Sequence, residues 1–133
     1  MNPASFDVAS AILLIPLISG LVLVLLPGYR LTSRINVVAS GATFLCALGL
    51  LIARPAPSHY LFVDDLNIVF IILSTFVGFT TSAFSASYIG HEIENGKLNP
   101  SYVRFYHAMY QALMFAMNLG LLANNIGLMW VAI

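Results

Sequence analysis

Four apolar stretches, each about twenty residues long, alternate with short polar connectors in this sequence. The hydrocarbon core of a bilayer is about 30 Å thick and takes roughly 20 residues of α-helix to cross. Inside it the backbone must satisfy its own hydrogen bonds, which leaves helices or closed barrels. The stretches run from about Val8 to Leu26, Ile35 to Ala53, Leu66 to Ile89 and Ser101 to Leu122, and a fifth, from Ile126 to Ile133, is too short to cross. The expected fold is all-α: a polytopic membrane protein with four transmembrane helices plus the start of a fifth. Residues 1–133 form a single transmembrane region, without a repeat, linker or second domain. The abrupt apolar end reads as the front part of a longer protein, cut at the start of its fifth helix.

Composition narrows the classes. Sixty per cent of residues are hydrophobic and 8% are charged, against about 25% charged in a soluble domain. Five acids balance five bases, so nothing points to nucleic acid. The single cysteine, Cys46, forms no internal disulfide and no metal site by itself, and reads as a small packing residue. A signal peptide needs a basic n-region. Residues 1–7 hold only Asp7, and Arg30 and Arg34 follow the first apolar run, which fits a retained anchor.

Punctuation marks the segments. Pro16 is tolerable inside a bundled membrane helix, and Pro27-Gly28 turns the chain. Ser40, Gly41, Thr43, Ala47 and Gly49 permit close helix contact in the second segment. Arg54-Pro55-Ala56-Pro57 ends that segment, and residues 58–65, with His59, Asp64 and Asp65, form a polar connector. In the third segment Ser74, Gly78, Thr81, Ser85 and Tyr88 share a face that should meet other helices. Asn95-Gly96 reads as a turn, and Asn99-Pro100 as a helix start. Tyr102, Phe105, Tyr106 and Tyr110 crowd the start of the fourth segment, as an interfacial belt would. Lys and Arg favour the first and third connectors, which should be cytoplasmic, with the N-terminus outside.

His107, Gln111 and Asn118 lie within about 40° of one another round the fourth segment. Polar and ionisable groups inside a membrane helix mark candidate proton paths, and histidine titrates near neutrality. The alternative is a hydrated, interfacial His107, only about 9 Å from the segment's start. Asp64 and Asp65 read as helix-capping and membrane-edge groups; Ser85 and Tyr88 read as packing or interfacial residues. His91-Glu92 is not a zinc motif, because Asn95 stands where a second His is required. No residue is expected to be catalytic, metal-binding or cofactor-binding, and no cofactor is expected.

Three runs, Val63-Asp64-Asp65-Leu66-Asn67-Ile68, Val77-Gly78-Phe79-Thr80-Thr81-Ser82 and Phe84-Ser85-Ala86-Ser87-Tyr88-Ile89, carry a resemblance. Arg104–Gln111 and Leu122–Trp130, with its Ala123-Asn124-Asn125 turn, sharpen it. The sequence resembles the N-terminal region of the antiporter-like membrane subunits. These occur in respiratory complex I, Mrp-type sodium/proton antiporters and membrane-bound [NiFe] hydrogenases, and the hydrogenase-4 branch is the most similar. The resemblance is good over about residues 60–133; before that only the hydrophobic layout matches.

That resemblance implies a long helical subunit with inverted repeats and broken helices, through which electron transfer in a peripheral arm drives proton pumping. It also implies a glutamate on the fifth helix paired with a lysine two helices later. The glutamate is expected immediately after Ile133, so none of the family's principal relay residues is carried onto this sequence. The expected partners are other membrane subunits and the peripheral arm of a hydrogenase or complex I-like assembly, together with the lipid bilayer. The expected location is the bacterial inner membrane. The subunit would hold no redox centre of its own, and this stretch alone should be inactive. An Mrp-type antiporter fragment and a small tetraspan scaffold are the competing readings.

Overall fold

The computed structural model describes residues 8–53, 60–97 and 99–133. It contains five helices: α1 (Val8–Leu25), α2 (Tyr29–Gly49), α3 (Asp65–Glu94), α4 (Pro100–Leu122) and α5 (Ile126–Ala132). Among the described residues, three are long and apolar enough to cross a membrane: α1, α2 from Arg30, and α3. The fourth expected span forms as a helix of 23 residues but is not one of these three. Arg104, His107, Gln111 and Asn118 all fall within it and lower its hydropathy.

Two helix ends differ from expectation. α2 starts at Tyr29, not near Ile35, so Arg30 and Arg34 stand on its first turns and not in a loop. Leu26–Gly28 make the turn, with Gly28 at φ 89°, and nothing in Tyr29–Arg34 breaks a helix. α3 continues past Ile89 to Glu94, because a lone Gly90 weakens a helix without ending it. Asn95 caps it, and Gly96 adopts the left-handed φ of 74° that glycine favours. The expected Arg54–Pro57 terminator, His59 and Asp7 lie outside the described residues.

α1 packs chiefly along α4 and α2, and α2 packs along α3. The bundle therefore has two unlike ends. At one end meet the start of α1, the end of α2, the start of α3 and the end of α4. Ala9, Ile12, Ala47, Leu50, Ile68, Ile71 and Leu122 form a dry cluster there, with Cys46 packed half-buried against it. A short strap closes this end: Leu61 bridges Ala123 antiparallel, Phe62 N donates to Leu122 O (2.9 Å) and Asn124 N donates to Tyr60 O (2.8 Å). The opposite end carries the charge. Arg30 approaches Glu94 at 3.7 Å and Lys97 approaches Glu92 at 3.9 Å, and Arg34 and Arg104 lie nearby in sequence.

The most buried face of α3 overlaps the expected polar stripe only in part. Ile68, Ile71, Thr75, Gly78, Ser82 and Ile89 are buried, a face turned by about 80° from the Ser74–Tyr88 stripe. Gly78 belongs to both faces, whereas Thr81 and Tyr88 are exposed. The stripe turns instead toward α4, where Tyr110 Oη donates to Gly78 O and Ser85 Oγ meets Tyr106 Oη.

Candidate functional site

His107, Gln111 and Asn118 recur on α4 at steps of four and seven, which a helix aligns on one face. All three side chains are fully buried. Facing them, α2 presents Ser33, Asn36, Ser40 and Thr43, spaced by three, four and three residues, all buried. α1 closes the third side with Gly20, where an added Cβ would lie 3.4 Å from Gln111 Cβ.

The geometry is that of a linked polar seam. Gln111 Nε2 donates to Asn36 Oδ1 at 2.7 Å, with Ser40 Oγ at 3.1 Å and the Asn36 carbonyl at 3.3 Å. His107 Nε2 and Ser33 Oγ are hydrogen-bonded at 3.1 Å. The Tyr106 ring and the imidazole form a T-shaped pair, 5.3 Å between centroids. Thr43 Oγ1 donates to its own helix at Ala39 O (2.9 Å).

The seam is only half satisfied from within. His107 Nδ1, Asn36 Nδ2, Gln111 Oε1 and both polar atoms of the Asn118 amide are buried and have no protein hydrogen-bond partner among the described residues. An unpaired buried polar group costs about 1–3 kcal/mol, and polar groups in apolar surroundings seek water where a site can hold it. Chemically, an imidazole with one nitrogen on a hydroxyl and the other free can accept a proton on one side and release it on the other. From His107 to Asn118 the seam runs about 16 Å along α4, roughly half a hydrocarbon core. It begins near the charged end and stops one helical turn short of Leu122 in the dry cluster.

The remaining sequence candidates stand elsewhere. Asp64 Oδ1 accepts from Asn67 N at 2.7 Å and caps α3, while Asp65 occupies the helix's first turn. Both lie at the strapped end. Ser85 Oγ meets Tyr106 Oη at 3.3 Å on an exposed surface, and Tyr88 stacks on Phe84 with ring centroids 6.5 Å apart. The structure therefore brings His107, Gln111 and Asn118 onto one seam and leaves Asp64, Asp65, Ser85 and Tyr88 outside it. Among the described residues no three His, Cys, Asp or Glu side chains gather as a metal-binding group. Ser33 and Asn36 escaped sequence reasoning. Their signal is the polar period at 33, 36, 40 and 43: Ser33 lies before the expected segment start at Ile35, and Asn36 lies at that segment's edge, where a polar residue reads as interfacial.

The class these features define is an all-helical membrane protein with a buried polar seam. The chain is 52% identical over 125 residues to the hydrogenase-4 component F homolog of Methylacidiphilum infernorum (isolate V4). The match covers 94% of this chain and 26% of that protein, so the chain spans about a quarter of its relative's length. The hydrogenase-4 resemblance carried by residues 63–89 and 104–130 thus leads to component F. No family model matches the chain, and no solved structure matches it.

Proposed function

We propose that the chain forms the N-terminal helical part of a proton-translocating membrane subunit in a hydrogenase-4 or NADH–quinone oxidoreductase-like complex. Electron transfer elsewhere in the assembly drives the proton, and this part anchors and packs against other membrane subunits and the peripheral arm. The similarity to a hydrogenase-4 component F homolog supports the assembly. The seam of His107, Ser33, Gln111, Asn36 and Asn118 is the observation that carries the proton role.

In this reading α1 to α4 all span the membrane, with α4 shielding its polar face against α1 and α2. Arg30, Arg34, Lys97 and Arg104 gather at one end, which is cytoplasmic by the positive-inside rule; the N-terminus and the strap are then periplasmic. The seam takes protons from the cytoplasmic end, through His107 and the Gln111–Asn36 pair, as far as Asn118. The dry cluster of Ile12, Leu50 and Leu122 blocks the direct exit, so onward transfer needs groups outside these helices.

The test is proton uptake in membrane vesicles carrying the assembled complex. A His107→Leu variant should retain electron transfer but lower driven uptake about tenfold, less than the 10²–10⁴ a positioned acid or base contributes at a reacting centre. Unchanged uptake would show that the seam is structural only.

A further inference from the structure

The start of α2 poses an electrostatic problem. A helix N-terminus carries about half a positive charge and favours anions. Here Gly28 provides no side-chain cap, the first turn holds no acid, and Arg30 stands in it. Arg34 follows one turn later, exposed, with no ion-pair partner among the described residues. The contact of Glu94 with Arg30 is long, at 3.7 Å, and largely exposed to solvent, the kind of pair that contributes little. His91, opposite, is engaged by Asn95 Nδ2 at 3.0 Å. Arg30, Arg34 and Glu94 stand at the mouth of a cleft between α2 and α3, with a volume of about 810 Å³.

The cleft is not polar throughout. Besides Ser33, whose hydroxyl is held by His107, its walls below Arg30 and Arg34 are Val37 and Val38 from α2 and Ala83 and Ala86 from α3, and Val38 is 70% exposed. Both walls belong to helices apolar enough to cross a membrane. A cationic rim over an apolar trough, opening sideways from a membrane helix pair, has the polarity pattern of one kind of molecule. Free phosphate would use the rim and leave the trough. An acidic peptide would meet the same mismatch, and a zwitterionic lipid would bring its own cation against the arginines.

We propose that this cleft binds an anionic phospholipid. Its phosphate lies between Arg30 and Arg34 over the first turn of α2, where the amide groups add to the attraction. One acyl chain lies along Val37, Val38, Ala83 and Ala86. The small side chains at 83 and 86 leave the trough open, and Ser87 offers a hydroxyl at its upper edge. Basic pockets between membrane helices bind anionic headgroups by the same physics. This inference needs only the membrane setting of α2 and α3 and does not depend on the proton path.

Native mass spectrometry of the purified full chain tests it. The protein is offered phosphatidylglycerol and phosphatidylcholine with identical acyl chains, and inorganic phosphate in a separate arm. Phosphatidylglycerol should be retained preferentially, and phosphate alone should neither be retained nor displace it. Arg30→Gln with Arg34→Gln should lower the preference by about fivefold per arginine. Lys97→Gln with Arg104→Gln, which removes the same charge elsewhere at this end, should keep it. Arg34→Glu provides a second arm, because this exposed side chain has no partner whose loss could unfold the helix; it should abolish the preference. Ala86→Phe should reduce retention by filling the trough. Equal retention of the two lipids, displacement by phosphate, or an equal loss in the Lys97/Arg104 control would overturn the proposal.

Discussion

Gln111 is the residue on which the seam turns. Its single amide nitrogen reaches Asn36 Oδ1, Asn36 O and Ser40 Oγ, so it ties α4 to α2 at mid-bundle. Removing Gln111 alone strands Asn36, and removing Asn36 alone strands Gln111. Replacing both by Leu removes the need along with the bond. A double-mutant cycle of Asn36→Leu and Gln111→Leu, measured by unfolding in mixed micelles, should give a coupling of about 0.6–1.7 kcal/mol, the range for polar pairs between membrane helices. Additive single losses would mean that the two side chains do not interact. At this scale sequence reasoning found half the site. His107, Gln111 and Asn118 stand out on α4 because each is costly in an apolar helix. Ser33 and Ser40 do not, because serine is common at close helix contacts for its size alone.

Among elements, the strap and the start of α2 were the least legible. The Tyr60–Phe62 and Leu122–Asn124 pairing joins residues about sixty apart, and no local pattern in either segment announces it. The amide of Phe62 donates to Leu122 O, one of the carbonyls a helix end leaves without an intrahelical donor. Phe62→Pro removes that donor and should destabilise the fold by about 1 kcal/mol. Amide exchange at Asn124, whose nitrogen donates back to Tyr60, should quicken in the same variant; unchanged exchange there would argue that the strap adds nothing to the turn. α2 was begun too late for an electrostatic reason. Arg30 and Arg34 look like loop residues when a membrane span is sought, yet long basic side chains can leave a helix body in the apolar layer and reach for the interface. The polar period on α3 picks out the contacts of Gly78 and Ser85 with α4, while Ile68, Ile71 and Ile89, which pack beside them, carry no polar signal.

The molecule as a whole has one dry end and one charged end, and its four long helices were plain from the apolar runs and turn residues, α4 least so because of its polar residues. The ends were legible only in part, since charge in sequence gives sidedness but not which groups meet. In the proposed orientation the Asn95 turn faces the cytoplasm and the connector before α3 faces the periplasm. With the native thiol removed by Cys46→Ala, a cysteine at Asn95 should react with an impermeant maleimide only from the cytoplasmic side, and one at Ser58 only from the periplasmic side. The reverse pattern would invert the path.

On the proposed path, water enters the seam from the charged end and stops at the dry cluster. Hydroxyl-radical footprinting of the membrane-embedded chain tests it directly, because radicals generated from water label side chains that water touches. His107 should be labelled despite its complete burial from bulk solvent, while Ile12 and Leu122, equally buried, stay protected. A His107 as protected as Ile12 would mean that the seam is dry, and the proton path would fall with it.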